Sequence, residues 1–291
     1  LPVALPSQIV VEPDTYTRPL TILLDEFDRY CVLVCDTRKA RLFSLHMGEF
    51  EEQPDIFLED NVPDRVRVNR SRTMGAAAGV QGGLGDDNIQ RHIEDHIHRH
   101  LKKVADRTFR YFKNKRFDRV IIGGPDNKVR YRLKDHLHSY LQKRLAGEFN
   151  AKPEDNADEL RKKAIEVARR YEQAQEHARI NELFENSGPG GMAVLGADPV
   201  IEALTMGQVH TLVINNDFQK QGFMCTRDHM LSAYRETCPL CGAQMEKTED
   251  LGDEMVEEAL CQNAEIEHVF AGHEEFAKYG VGARLRFTLG S

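Results

Sequence analysis

From Met192 to Phe270 the sequence alternates between two kinds of segment. Three short apolar runs, MAVLG, HTLVINN and IEHVF, are separated by two helix-length stretches, PVIEALTMG and DEMVEEALCQNA. The short runs read as strands buried on both faces, and the longer ones repeat apolar residues at helical spacing. Strands alternating with helices of this length pack as layers, which makes this half of the chain an α/β domain. The other half carries the same signals. Tyr30–Val34 (YCVLV) and Ala40–Leu45 (ARLFSL) read as strands, and His46-Met47-Gly48-Glu49 is a turn that sends the chain back as a hairpin. Val66-Arg67-Val68-Asn69-Arg70 alternates as a third strand, and Arg119–Gly123 (RVIIG) is a buried strand ended by Gly123-Gly124-Pro125. Helical spacing is expected around Leu20–Phe27 and from about Asp86 to Lys115. It recurs through Leu133, Leu137, Tyr140, Leu141 and Leu145. The expected fold class is α/β, with two layered mixed-sheet domains.

At 291 residues the chain is long enough for two cores. The polar stretch Asn150–Asp158, with Pro153, places the boundary, giving domains 1–150 and 151–291. A charged helix then runs from about Asp158 to Glu185, and Ser187-Gly188-Pro189-Gly190-Gly191 stops it. A net charge of −8 excludes a uniformly basic coat for nucleic acid while leaving room for a local basic face. No run approaches the ~18 apolar residues of a membrane span. Six Cys are too few for a disulfide scaffold and fit a reducing cytoplasm. The chain opens on Leu1 rather than Met, so sequence upstream of it is expected.

Two local features carry chemistry. The first is Gly75–Gly85 (GAAAGVQGGLG), with five Gly in eleven residues and no charge. Alone it reads as a surface linker, or as a loop whose backbone can approach a ligand closely. The Gly-Lys-Ser/Thr ending of a phosphate-binding loop is absent. Its flanks are basic: Arg65, Arg67, Arg70 and Arg72 precede it, and Arg91, Arg99, Lys102 and Lys103 lie on the helix that follows. A small-residue tip on basic shoulders suits an RNA-tracking device, whereas basic charge on a helix is ordinarily a solvated face. His92, His96 and His100 share a face of that helix, with His98 offset; no acidic or Cys partner is evident, and the stripe reads as solvated.

The second feature is Cys238-Pro239-Leu240-Cys241-Gly242, a zinc knuckle whose tight turn aims two thiolates at one ion. Cys225 lies thirteen residues upstream. A second knuckle would want Cys at 228, where Asp228 and His229 stand instead. His229 is the expected fourth ligand, because sites of three Cys and one His are ordinary. The expected cofactor is therefore one structural zinc on Cys225, His229, Cys238 and Cys241, in a minidomain of about 222–247. The alternative is a set of thiols from which metal binding has been lost. Cys31, Cys35 and Cys261 read as core residues.

Taken in order, these elements resemble the archaeo-eukaryotic class 1 peptide chain release factors and Pelota, most closely their bacterial branch. Asp36-Thr37-Arg38-Lys39-Ala40-Arg41-Leu42-Phe43 with Met47-Gly48-Glu49 looks like the opening hairpin of that family's central domain. Val120-Ile121-Ile122-Gly123-Gly124-Pro125 and Leu133-Lys134-Asp135-His136-Leu137 look like its later strand and helix. Gly190–Gly196, Ile201–Val209 and Ala271–Phe287 are similar to the third domain. The resemblance implies a central RNase H-like domain and a third domain with the fold of kink-turn-binding ribosomal proteins, interrupted by a zinc minidomain. The codon-reading first domain is not seen, being either absent or upstream of Leu1.

The resemblance also implies a Gly-Gly-Gln tip that enters the peptidyl transferase centre and promotes hydrolysis of peptidyl-tRNA. Aligned on Leu101-Lys102-Lys103-Val104, that tip falls on Gly82, Gly83 and Leu84, with Gln81 just before the pair. The backbone N–H after the glycines would stabilise the oxyanion; Leu84 keeps that N–H but lacks the side chain that places water. The implied partners are the ribosome and peptidyl-tRNA, with a translational GTPase beside them, and neither membrane nor DNA. Two functions follow: a cytoplasmic release or rescue factor, or a ribosome-binding adaptor whose hydrolase has lapsed. A zinc-containing interaction module outside translation is the remaining alternative.

Overall fold

The computed structural model describes Thr21 and residues 28–53, 58–59, 84–270 and 273–288. The helix expected around Leu20–Phe27, Thr21 apart, and the strand expected at Val66–Arg70 lie outside these residues.

A first unit covers residues 28–171. In chain order it contains β1 (Tyr30–Cys35), β2 (Lys39–His46), β3 (Glu49–Glu52), β4 (Leu58–Glu59), α1 (Leu84–Lys115), β5 (Arg119–Gly124), α2 (Asn127–His136), α3 (Ser139–Gln142) and β6 (Leu145–Asn150). It closes with the first part of α4 (Ala157–Glu185). The sheet is mixed: β1 is antiparallel to β2 and parallel to β5, and β5 is parallel to β6. Every residue of β1 is buried, as a continuous apolar run requires. Cys31, Leu33, Val120 and Ile122 pack on one face with Leu101, Val104 and Phe112 of α1 and Leu133 of α2. Tyr30, Val32, Val34 and Ile121 pack on the other with Leu160, Ala164 and Val167 of α4. Each large side chain so buried contributes roughly 1.5–3 kcal/mol. The β2–β3 turn has positive φ at both central residues, Met47 (48°) and Gly48 (75°). That geometry matches the twist of a two-residue hairpin.

The helix expected through Leu145 is cut short. The α2 helix ends at His136, Leu137 turns extended, and after α3 the chain enters β6. Gly147 is the reason a strand fits here: a Cβ at that position would stand 2.6 Å from Val167 Cγ1 of α4. The glycine lets helix and sheet close together.

A second unit covers residues 172–291. It contains β7 (Ala193–Leu195), α5 (Ala197–Thr205), β8 (Val209–Asn215), β9 (Gly222–Met224), β10 (Leu231–Ser232), β11 (Glu246–Thr248) and α6 (Leu251–Cys261). Then come β12 (Glu265–Val269), α7 (Glu274–Ala277) and β13 (Val281–Leu285). The main sheet has the order β12-β8-β13-β7, with β12 parallel to β8 and the other pairs antiparallel. Val200, Leu204, Leu212, Ile214, Met255 and Val256 form the core on one face. Ile180 and Leu183 of α4 join Val213, Val269 and Phe276 on the other. Cys31 and Cys35 are core residues, whereas Cys261, at the end of α6, is exposed.

The two units divide between Tyr171 and Glu172, inside α4, rather than in the 150–158 segment. That polar segment is bound to the first unit: Arg41 Nη1 donates to the carbonyls of Pro153 (2.8 Å) and Asp155 (2.9 Å). Among the described residues no helix is long and apolar enough to cross a membrane.

Candidate functional site

Between β8 and α6 the chain leaves the main sheet for a small antiparallel one, ordered β10-β9-β11. Two tight turns hang from it, and they are built alike. The His229 N–H donates to Cys225 O (2.8 Å), and the Gly242 N–H to Cys238 O (2.9 Å). The Cys225 N–H donates to Met230 O (2.9 Å), and the Cys238 N–H to Ala243 O (2.9 Å). The fifth residue of each turn is left-handed, with φ of 54° at His229 and 71° at Gly242. Cys225-Thr226-Arg227-Asp228-His229 is therefore the same turn as Cys238-Pro239-Leu240-Cys241-Gly242.

This register corrects the fourth ligand. Asp228 stands where the second cysteine of a knuckle belongs, and His229 occupies the glycine position. The ligand atoms of Cys225, Asp228, Cys238 and Cys241 all lie within 4.8 Å of one another, and His229 is not among them. Sγ of Cys225 and Cys241 are 3.6 Å apart, and Asp228 Oδ2 is 3.3 Å from Cys238 Sγ. Two thiolates on one tetrahedral zinc are about 3.8 Å apart, so the cluster has the dimensions of a metal site. Its electrostatics also call for a cation. Backbone N–H groups of Asp228 and Arg227 hold the Cys225 thiol below its ordinary range, while the Asp228 carboxylate pushes Cys241 up to about 12. A divalent ion would relieve that opposition. These four groups could hold a metal.

His229→Gly should leave metal binding intact and stabilise the turn by about 1 kcal/mol, because a non-glycine residue is strained at this φ. Zinc content and thermal melting check this; loss of zinc in His229→Gly would restore His229 as the ligand.

The other expected site residues divide in two. Arg91, Arg99, Lys102 and Lys103 lie exposed on α1, while Leu101, Val104 and Ala105 of the same helix enter the core. Arg65, Arg67, Arg70, Arg72, Gln81, Gly82 and Gly83 lie outside the described residues. Leu84 is the first residue of α1, two positions before the expected Asp86–Asn88 cap. The His stripe splits: the His92 and His96 rings stack at 4.8 Å, while His100 is buried with Nε2 3.9 Å from Cys35 Sγ.

Known proteins share this arrangement. Peptide chain release factor subunit 1 of Pyrococcus abyssi is 25% identical over 303 aligned positions, which cover 94% of this chain and 70% of that protein. Its counterpart in Methanococcoides burtonii is 26% identical, with the same coverage. Yeast (S. cerevisiae) Dom34, a translation termination-like factor involved in RNA quality control and interacting with Hbs1, has the same fold. The TM-score is 0.51 at 8% identity, over 96% of this chain and 70% of that one. Ribosome-bound archaeal Pelota, solved with ABCE1, also gives 0.51, at 16% identity over 89% of this chain and 62% of that one. Fold and sequence thus define a protein of the release factor and Pelota superfamily. The model of bacterial archaeo-eukaryotic release factor family 10 matches residues 16–176, more than half of the chain. The chain belongs to that family.

Proposed function

We propose that this protein acts on the ribosome as a peptide chain release or rescue factor, promoting hydrolysis of peptidyl-tRNA through Gly82, Gly83 and the backbone of Leu84. The observation that carries the reading is the family match over residues 16–176, which spans the Gly-rich loop and the helix behind it. Support comes from the start of α1 at Leu84. The first N–H groups of a helix have no intrahelical acceptor and sit at its positive end, which suits an oxyanion donor. The test is peptide release from ribosome-bound peptidyl-tRNA, scored beside Gly83→Ala. A second reading, an adaptor of the same fold without hydrolase activity, is favoured by Leu84 standing in the place of the glutamine.

Zinc on Cys225, Asp228, Cys238 and Cys241 is the proposed cofactor, with a structural role. The partners are the ribosome and peptidyl-tRNA, and a translational GTPase is in keeping with the relation to Pelota.

Ribosome association should weaken steeply with salt, since Lys and Arg displace counterions from phosphate. Replacing Arg67, Arg70 and Lys103 together by Glu should reduce binding more than about tenfold at low salt. Ribosome pelleting reads this out, and unchanged pelleting would mean that the contact face lies elsewhere.

A further inference from the structure

A groove of about 440 Å³ in the first unit brings metal-ligating side chains of α1 and α2 together. Its floor is Ile97 and Leu101, and its walls include Glu94, His98, Asp135 and His136. The His98 and His136 rings meet at 86° with centroids 4.5 Å apart. We propose that His98 and His136, with Glu94, bind a divalent transition-metal ion of borderline softness, such as Zn²⁺ or Ni²⁺, separately from the cysteine cluster.

The ring geometry carries the argument. With metal–nitrogen bonds of ~2.1 Å, an imidazole centroid lies about 3.2 Å from the ion. Two imidazoles at octahedral or tetrahedral angles then have centroids about 4.6–5.3 Å apart, close to the observed spacing. Glu94 lies one turn before His98 on the same helix face, where its carboxylate can supply a third ligand. Asp135, next to His136, adds negative charge on the opposite wall. Two imidazoles and a carboxylate suit zinc or nickel, whereas the thiolates of the other cluster select softer ions. An ion here would pin α2 to α1, the helix that begins at Leu84. This inference stands on the groove alone and does not depend on a role in translation.

The full chain, with its cysteine cluster loaded with zinc, is titrated with Ni²⁺ by calorimetry. The expected result is one saturable site, with paramagnetic broadening of the His98 and His136 ring resonances. His98→Gln and His136→Gln should each weaken it by about tenfold or more. His92→Gln should leave it unchanged, and circular dichroism should show native helix content in every variant. The stacked His92–His96 pair is the competing chelate on the same helix. Nickel binding lost in His92→Gln and retained in His98→Gln would assign the site to that pair and overturn the proposal. The absence of a saturable site, or of broadening at His98 and His136, would overturn it as well.

Discussion

Gly83→Ala should abolish peptide release, while Leu84→Ala stays within a few-fold of the parent. A Cβ at Gly83 closes φ values that only glycine adopts freely and blocks close approach of the backbone to the ester. A donor aimed at an oxyanion contributes roughly 3 kcal/mol, about a hundredfold in rate, so loss of the backbone geometry should dominate. Leu84→Ala keeps the N–H. Leu84→Gln supplies the missing amide and should raise the rate by about tenfold, within the range of a water-positioning group. Time courses of release from ribosome-bound peptidyl-tRNA distinguish these outcomes. If Gln81→Ala stops release and Gly83→Ala does not, the glutamine before the glycines is the working residue. If no variant releases peptide, Leu84→Gln included, the adaptor reading replaces the hydrolase.

Removal of zinc should unfold the two knuckles and leave both α/β cores standing. The core at the knuckles is very small: Cys225, Cys238 and Met245 are its buried members, with Phe223 and Met230 packed against them. Segments this short rarely fold without a staple, and a structural zinc supplies on the order of 10 kcal/mol. Leu231 and Met224, by contrast, pack into the main core of the second unit and should stay there. Cys238→Ser and Cys241→Ser should each lose the metal. Hydrogen exchange at the Gly242 and Met245 amides should then rise by orders of magnitude, since their acceptors, Cys238 O and Glu236 O, belong to the same turn. The ligands bind deprotonated, so zinc should be released as pH falls and retained as it rises. Metal-free protein with those two amides still protected would show that the knuckles need no ion.

Much of this fold is legible in the sequence because its central strands are continuous apolar runs. Tyr30–Val34, Arg119–Gly123 and His210–Asn216 could hardly be anything else. The strands that escape detection lack that signature. In β6 only Phe149 is buried, and its glycine reads as a breaker although it serves packing. The strands β9, β10 and β11 have two or three residues each, and hydrogen bonding from their neighbours defines them. Polarity at 150–158 imitates a linker because carbonyls paired with Arg41 cannot be foreseen locally. At the cysteine cluster, ligand chemistry favours His229 and turn register favours Asp228. Register prevails, because the backbone of the turn decides which side chain faces inward. His136 goes unremarked as a partner of His98 for a simpler reason: only tertiary packing brings α2 to α1.

The α4 helix belongs to two cores, and its middle belongs to neither. Between Ala168 and Ile180 none of its residues is buried. A stretch of that length is marginal as a free helix in water, because the cost of nucleation outweighs what a few turns return. It stays wound because Leu160, Ala164 and Val167 anchor one end while Ile180 and Leu183 anchor the other. Loss of either anchor would let the exposed turns fray toward the surviving core. Melting of one unit is thereby felt in the other as a shortened ladder of hydrogen bonds. Severing the chain at Tyr171 would yield two fragments, each ending in a helix stub deprived of its second clamp.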